Sequence, residues 1–346
     1  MLILKINYMK GRYLRHFVLY SVIALLLTAC NRNKFDIRVE KIVDINVYRL
    51  DSMFFDPPVD QVVENVNLFY EQFPEFAEVY FKGVLNIGGI ESRYFKDYFK
   101  LFLSNPDFRE SYDSTKVAFG DFKSKRNEIE LAFDYLRHYL SDLHVPDIYT
   151  MISGFNESVV LFDDAVAVSL EKFLGSGSLF YEKLAAPKYL RKRYNPELLS
   201  AEVVRSWLGS EYSNGDSVRN LVNTMIYHGK IMYLMDAAFP KKPDYFKISY
   251  LPDEIIWAQK SEKYIWAYFI DKKLLFATDE KSIGKYIEEA PFVPDFGDTS
   301  PGRIGVWMGW QIVRSYMNKN SQVSIEELLR INDHQQILLQ SGYSPR

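Results

Sequence analysis

Residue types that do chemistry are few in this sequence, and they are scattered. Its 346 residues include one cysteine, Cys30, and five histidines. His138, His144, His228 and His334 show no paired spacing that would set two imidazoles on one helical face toward one metal ion. A serine nucleophile on a G-x-S-x-G elbow is absent. A phosphate cradle is absent too, because Gly83 to Gly89 lacks the required lysine and serine arrangement. Asp163 and Asp164 are adjacent carboxylates, but neighbours at a strand turn point apart, and the pair reads as a turn. Nothing in the pattern singles out two distant carboxylates for glycoside hydrolysis. Arg303 and Arg314 interrupt an otherwise apolar run. Buried there, they require carboxylate or carbonyl partners, and they read as structural anchors.

Cys30 has a specific context. Lys10, Arg12 and Arg15 form a basic start, Phe17 to Leu27 an apolar stretch, and Leu27-Thr28-Ala29-Cys30 the small-residue pattern before a processed cysteine. This resembles a bacterial lipoprotein signal, with Met9 as an alternative start. The expectation is a signal peptide over 1–29, a lipidated tether over 30–36 with the lipid on Cys30, and a single large globular domain over 37–346. Anchoring to a membrane would then run through Cys30, and Asn31 after it favours the outer membrane. With that cysteine consumed, disulfides, cysteine zinc sites and thiol nucleophiles are unavailable to the rest of the chain.

The elements that must position any site are mainly helical. Ser300 to Met317 reads as a helix covered on most sides, capped by Ser300 and opened by Pro301, with apolar residues all round its axis. Gly305 and Gly309, four apart, predict the close approach of a neighbouring backbone. Helical spacing also marks Asp60 to Phe81 up to a break at Pro74, then Ser92 to Leu103, Asp107 to Ala118, Asp121 to Leu143, Asn195 to Leu208, Asp216 to Phe239, Asp253 to Phe269 and Glu280 to Glu288. Ser324 and Glu327 are spaced as a capping box. Ile37 to Asp51 is rich in β-branched residues and suits a strand. Short β-rich runs at 147–155, 158–162 and 165–170, joined by Asn156-Glu157 and Asp163-Asp164, predict a small antiparallel sheet. The fold class is therefore α+β, predominantly helical. The formal net charge of −3, with basic residues scattered, argues against nucleic acid as a partner. An aromatic content of 16% reads as core packing rather than as a sugar-stacking platform, because the rings fall at helical spacing.

The order and spacing of several runs resemble the GldB family of gliding-motility lipoproteins of Bacteroidetes. These are Arg49-Leu50-Asp51, Pro146-Asp147-Ile148-Tyr149-Thr150 leading to Gly154-Phe155-Asn156, Leu170 to Gly175, Gly229-Lys230, Trp257, Trp266 and Pro301 to Met317. The resemblance implies an envelope lipoprotein, non-catalytic, that supports gliding motility or type IX protein secretion through partners in that machinery. The family in turn resembles zincin-type zinc peptidases, which implies a degenerate zincin-like fold. Such enzymes place HExxH on a helix so that two histidines hold zinc while the glutamate activates its water. No HExxH is present. Ala201-Glu202-Val203-Val204-Arg205 would keep only the glutamate, and His228 precedes Gly229-Lys230 where relatives more often have a glutamate. Glu202 and His228 are thus candidate vestigial metal-site positions, with no catalytic residue, metal or cofactor expected. The alternatives are a zincin-like metallopeptidase with a divergent site and a surface glycan-binding lipoprotein.

Overall fold

The computed structural model describes residues 33–212 and 219–345, so Cys30 and the expected signal segment lie outside the described residues. The β-branched runs form four strands, β1 (Val47–Arg49), β2 (Asp147–Met151), β3 (Val159–Phe162) and β4 (Ala165–Ser169), in the spatial order β1-β2-β4-β3. β4, Ala-Val-Ala-Val-Ser, is buried along its whole length, as suits a central strand covered on both faces.

The expected antiparallel sheet is in fact mixed. β1–β2 and β2–β4 run parallel, and only the β3–β4 hairpin is antiparallel. That hairpin turns at Asp163-Asp164, with Asp163 at φ +39°, in line with the turn reading. The other expected turn, at Asn156-Glu157, does not fold β3 back onto β2. The Glu171 carboxylate accepts from the N–H groups of Ser153 (2.7 Å) and Phe155 (3.1 Å), and Asn156 Nδ2 donates to the Val84 carbonyl (3.0 Å). These bonds draw the chain out past β4, so β3 pairs on its far side.

The strand expected over 37–51 shortens to three residues. Upstream of it the N–H groups of Ile42 and Val43 donate to Asp134 (3.0 and 2.9 Å), and that of Ile45 to Glu130 (3.1 Å). Carboxylates of the Lys123–Tyr139 helix take the place that a neighbouring strand would fill.

One face of the sheet packs on an aromatic core supplied by the helices between β1 and β2. Phe76 stacks on Tyr149 of β2 at 5.1 Å, and Phe81 meets Phe99 edge-on at 5.0 Å. Phe54, Phe76, Tyr80, Phe81 and Phe99 are all buried, so in this half the high aromatic content is core.

The later half centres on two crossing helices, Leu221–Ala238 and Ile304–Lys319. The first was expected from Asp216, which lies outside the described residues. The described helix starts at Leu221, with the Asn220 side chain accepting from Asn223 N. Both helices are buried nearly all round, and glycines let their backbones touch. A β-carbon on Gly229 would lie 2.3 Å from the Gly309 carbonyl oxygen.

The second helix begins at Ile304 rather than at Ser300. Arg303 is left-handed at φ +59°, which a right-handed helix cannot continue through. Ser300 bonds Val293 and Gly297 instead of capping, and Pro301 lies outside the helix. The resulting fold is α+β and predominantly helical.

Candidate functional site

Glu202 and His228, far apart in sequence, line one cleft of about 250 Å³ together with Arg193, Arg205, Tyr227 and Arg303. Each side chain is positioned by a different element. Asn195 caps a short turn by accepting from Glu197 N (3.0 Å), and that turn runs into the Leu199–Glu211 helix. Leu199, Ala201, Val203, Val204, Trp207 and Leu208 take this helix's buried side. Glu202 and Arg205, three apart and so neighbours on one face, are left at its edge. His228 is fixed beside Gly229, at the crossing with the Ile304–Lys319 helix. Arg303 sits at that helix's N-cap.

Every lone-pair direction of the Glu202 carboxylate is engaged. Oε1 accepts from Arg193 Nη2 (2.9 Å), Arg193 Nε (3.2 Å) and Ser249 Oγ (2.8 Å). Oε2 accepts from Arg205 Nη2 and from Arg193 Nη2 (3.1 Å). Burial disfavours its charge, but Arg193 and Arg205 outweigh burial and hold the carboxyl well below the usual range. The arginines respond in kind. Burial works against the Arg193 charge, and Glu202 and Glu289 overcome it and raise its pKa. Arg205 is lowered to about 10 by burial, with Arg303 and Arg193 adding to the effect despite Glu202. His228 is lowered to about 4, first by burial and then by Arg303 and Arg205, so it is neutral at pH 7.

A zincin site needs a glutamate free to activate water and histidines that converge on a metal. In this chain Arg205 stands where the second histidine of the motif would be, and it neutralises the glutamate. Among the described residues no three His, Cys, Asp or Glu side chains come together as a metal site. His334 and His144 are engaged elsewhere. The His334 ring is 3.0 Å from the Asn223 carbonyl oxygen, and His144 lies beside Trp207 and Asp164. Reading the sequence missed Arg193, Ser249 and Glu289 as members of this site. Only Arg205, three residues after Glu202, carried a local signal.

The anchoring role expected of Arg303 and Arg314 holds. Arg314 makes paired bonds to Asp236 and Asp244 at 2.7–2.8 Å and lies over the Trp310 ring, while Arg303 Nη1 donates to the Ile248 carbonyl (2.8 Å).

The model of the family described as gliding motility protein GldB matches residues 31–345. The chain belongs to that family. No curated protein and no solved structure matches it. Some of the GldB-like runs of the sequence meet in space. Arg49 clasps Asp51 (2.9 and 2.8 Å), and Thr150 of the Pro146 to Thr150 run donates to the same Asp51, joining the two N-terminal runs across β1 and β2. Gly229 meets Gly309 of the Pro301 to Met317 run, and Lys230 donates to the Ile331 carbonyl. Among the described residues no helix is long and apolar enough to cross a membrane.

Proposed function

We propose that this GldB-family protein is a lipid-anchored envelope component that serves gliding motility or type IX protein export by binding partners, without catalysing a reaction. The family match over nearly the whole chain supports the motility assignment. The observation that carries the non-catalytic reading is the saturation of Glu202. With both oxygens engaged by Arg193, Arg205 and Ser249, no carboxylate atom is available to hold a metal or polarise water. Lipid attachment at Cys30 and outer-membrane delivery rest on the signal pattern of the sequence.

The test is deletion of the gene in its native organism, followed by complementation. Gliding or type IX export is expected to fail on deletion and to return with His228→Ala, which removes the one imidazole of the cleft and leaves the ion network intact. Purification of the lipidated protein from its own envelope is expected to bring down gliding or secretion subunits. Loss of complementation by His228→Ala at normal protein level, or recovery of only cytoplasmic or polysaccharide-degrading partners, would contradict the proposal.

A further inference from the structure

The cleft around Glu202 and His228 carries more positive charge than it neutralises. Arg193, Arg205 and Arg303 face two carboxylates, Glu202 and Glu289, which leaves one cation in excess. Ion pairs farther out do not change that balance. Lys192 is matched by Glu254, and Lys247 and Arg314 by Asp236 and Asp244.

Hydrogen-bond donors are in excess as well. Arg303 donates from Nη1 to the Ile248 carbonyl, and its Nε lies 3.3 Å from Glu289 in an ion pair. Arg205 uses Nη1 on the Lys247 carbonyl (3.0 Å) and Ser249 (3.1 Å), and Nη2 on Glu202. Among the described residues, Arg303 Nη2, Arg205 Nε and the ring nitrogens of His228 have no hydrogen-bond partner. Ile231, Met232 and Val306 add apolar surface to the lining.

We propose that this cleft binds a monoanionic carboxylate with a short apolar group, its carboxylate held by Arg205, Arg303 and His228. One excess cation matches a monoanion, whereas a phosphate dianion would bring a charge with no partner beside Glu202. A metal cation is disfavoured by the same excess. The apolar part of the lining takes the body of the ligand, and the volume of about 250 Å³ keeps that body small. Two sources share this chemistry, a free small acid and the C-terminus of a peptide. The site stands apart from the motility reading, since it follows from charge and donor counts alone.

Calorimetric titration of the full-length protein in detergent with N-acetyl-leucine, its neutral amide, N-acetyl-Ala-Ala-Leu with a free C-terminus, and inorganic phosphate tests the site. The acid is expected to bind saturably, and the amide roughly tenfold more weakly or worse, because it forfeits the charge-assisted bonds. Tighter binding of the tripeptide than of the single acid assigns the site to chain termini, and equal binding assigns it to free acids; either supports the site. Ser206→Tyr, which puts a large side chain into the lining from a half-buried position, is expected to abolish acid binding. Arg303→Lys, which keeps the charge but loses the planar fork, is expected to weaken it. Equal affinity for acid and amide, tighter binding of phosphate, no binding of the acid at millimolar concentration, or acid binding undisturbed by Ser206→Tyr would each overturn the proposal.

Discussion

Gly309 and Met225 lie backbone against backbone: a β-carbon built on Gly309 would fall 1.7 Å from the Met225 carbonyl oxygen. No side chain can be accommodated there unless the Leu221–Ala238 and Ile304–Lys319 helices move apart. Their crossing carries His228 to one side and Arg303 to the same cleft, so helix packing and the site share one geometric requirement.

Gly309→Ala is therefore expected to destabilise the protein by about 3 kcal/mol or more, at the upper end of overpacking costs. Gly209 is the control. It is also helical, but nothing lies within 4 Å of an added β-carbon, and Gly209→Ala is expected to be neutral or to stabilise by up to about 1 kcal/mol. Chemical denaturation of both variants checks the contrast, and equal effects would refute the backbone-contact account.

Glu202→Gln is expected to cost about 3–5 kcal/mol, because it leaves Arg193 and Arg205 without their shared charge in a nearly buried site. The ion network makes it a stability variant, so a loss of motility with it does not by itself imply catalysis. Protein abundance and unfolding free energy measured beside motility separate the two, and a fully stable variant would disprove the structural role.

Stability is expected to fall on acidification in two overlapping windows. His228 has its folded pKa depressed to about 4 from 6.5, so below 6.5 the unfolded chain takes a proton that the folded chain refuses. Stability is then lost as pH falls from 6.5 to about 4. Glu202, also depressed, contributes stability that is full above its unfolded value of 4.5 and is lost as pH falls below it. His228→Ala should flatten the upper window and leave the lower one. An unchanged slope between pH 6.5 and 4 would show that His228 is not the group responsible.

Purified protein is expected to contain no stoichiometric zinc, and chelators should leave the thermal midpoints of both the wild-type protein and His228→Ala unmoved. Elemental analysis giving one zinc per chain would revive the metallopeptidase alternative.

Cys30→Ala is expected to release the protein from membranes or to leave its signal uncleaved, read by fractionation and by the mass of the mature chain. A variant that remains anchored and correctly processed would rule out lipidation at this cysteine.

Features set within a turn or two of chain were legible in the sequence. The Ser324–Glu327 capping box forms as spaced, with Ser324 N donating to Glu327 (2.7 Å) and Glu327 N to Ser324 Oγ (3.1 Å). The Gly305 and Gly309 spacing told of a close backbone, and the apolar residues all round that helix told of its burial, because helical periodicity depends only on neighbours three and four apart. Strand order and charge partners were not legible. β3 passes β4 because Glu171 and Val84 hold the intervening loop, and Glu202 is silenced partly by Ser249, 47 residues away. Such pairings are chosen by which surfaces the packed helices bring together. A buried carboxylate accepts whichever cations arrive there, since leaving it unpaired costs more than any local preference can supply.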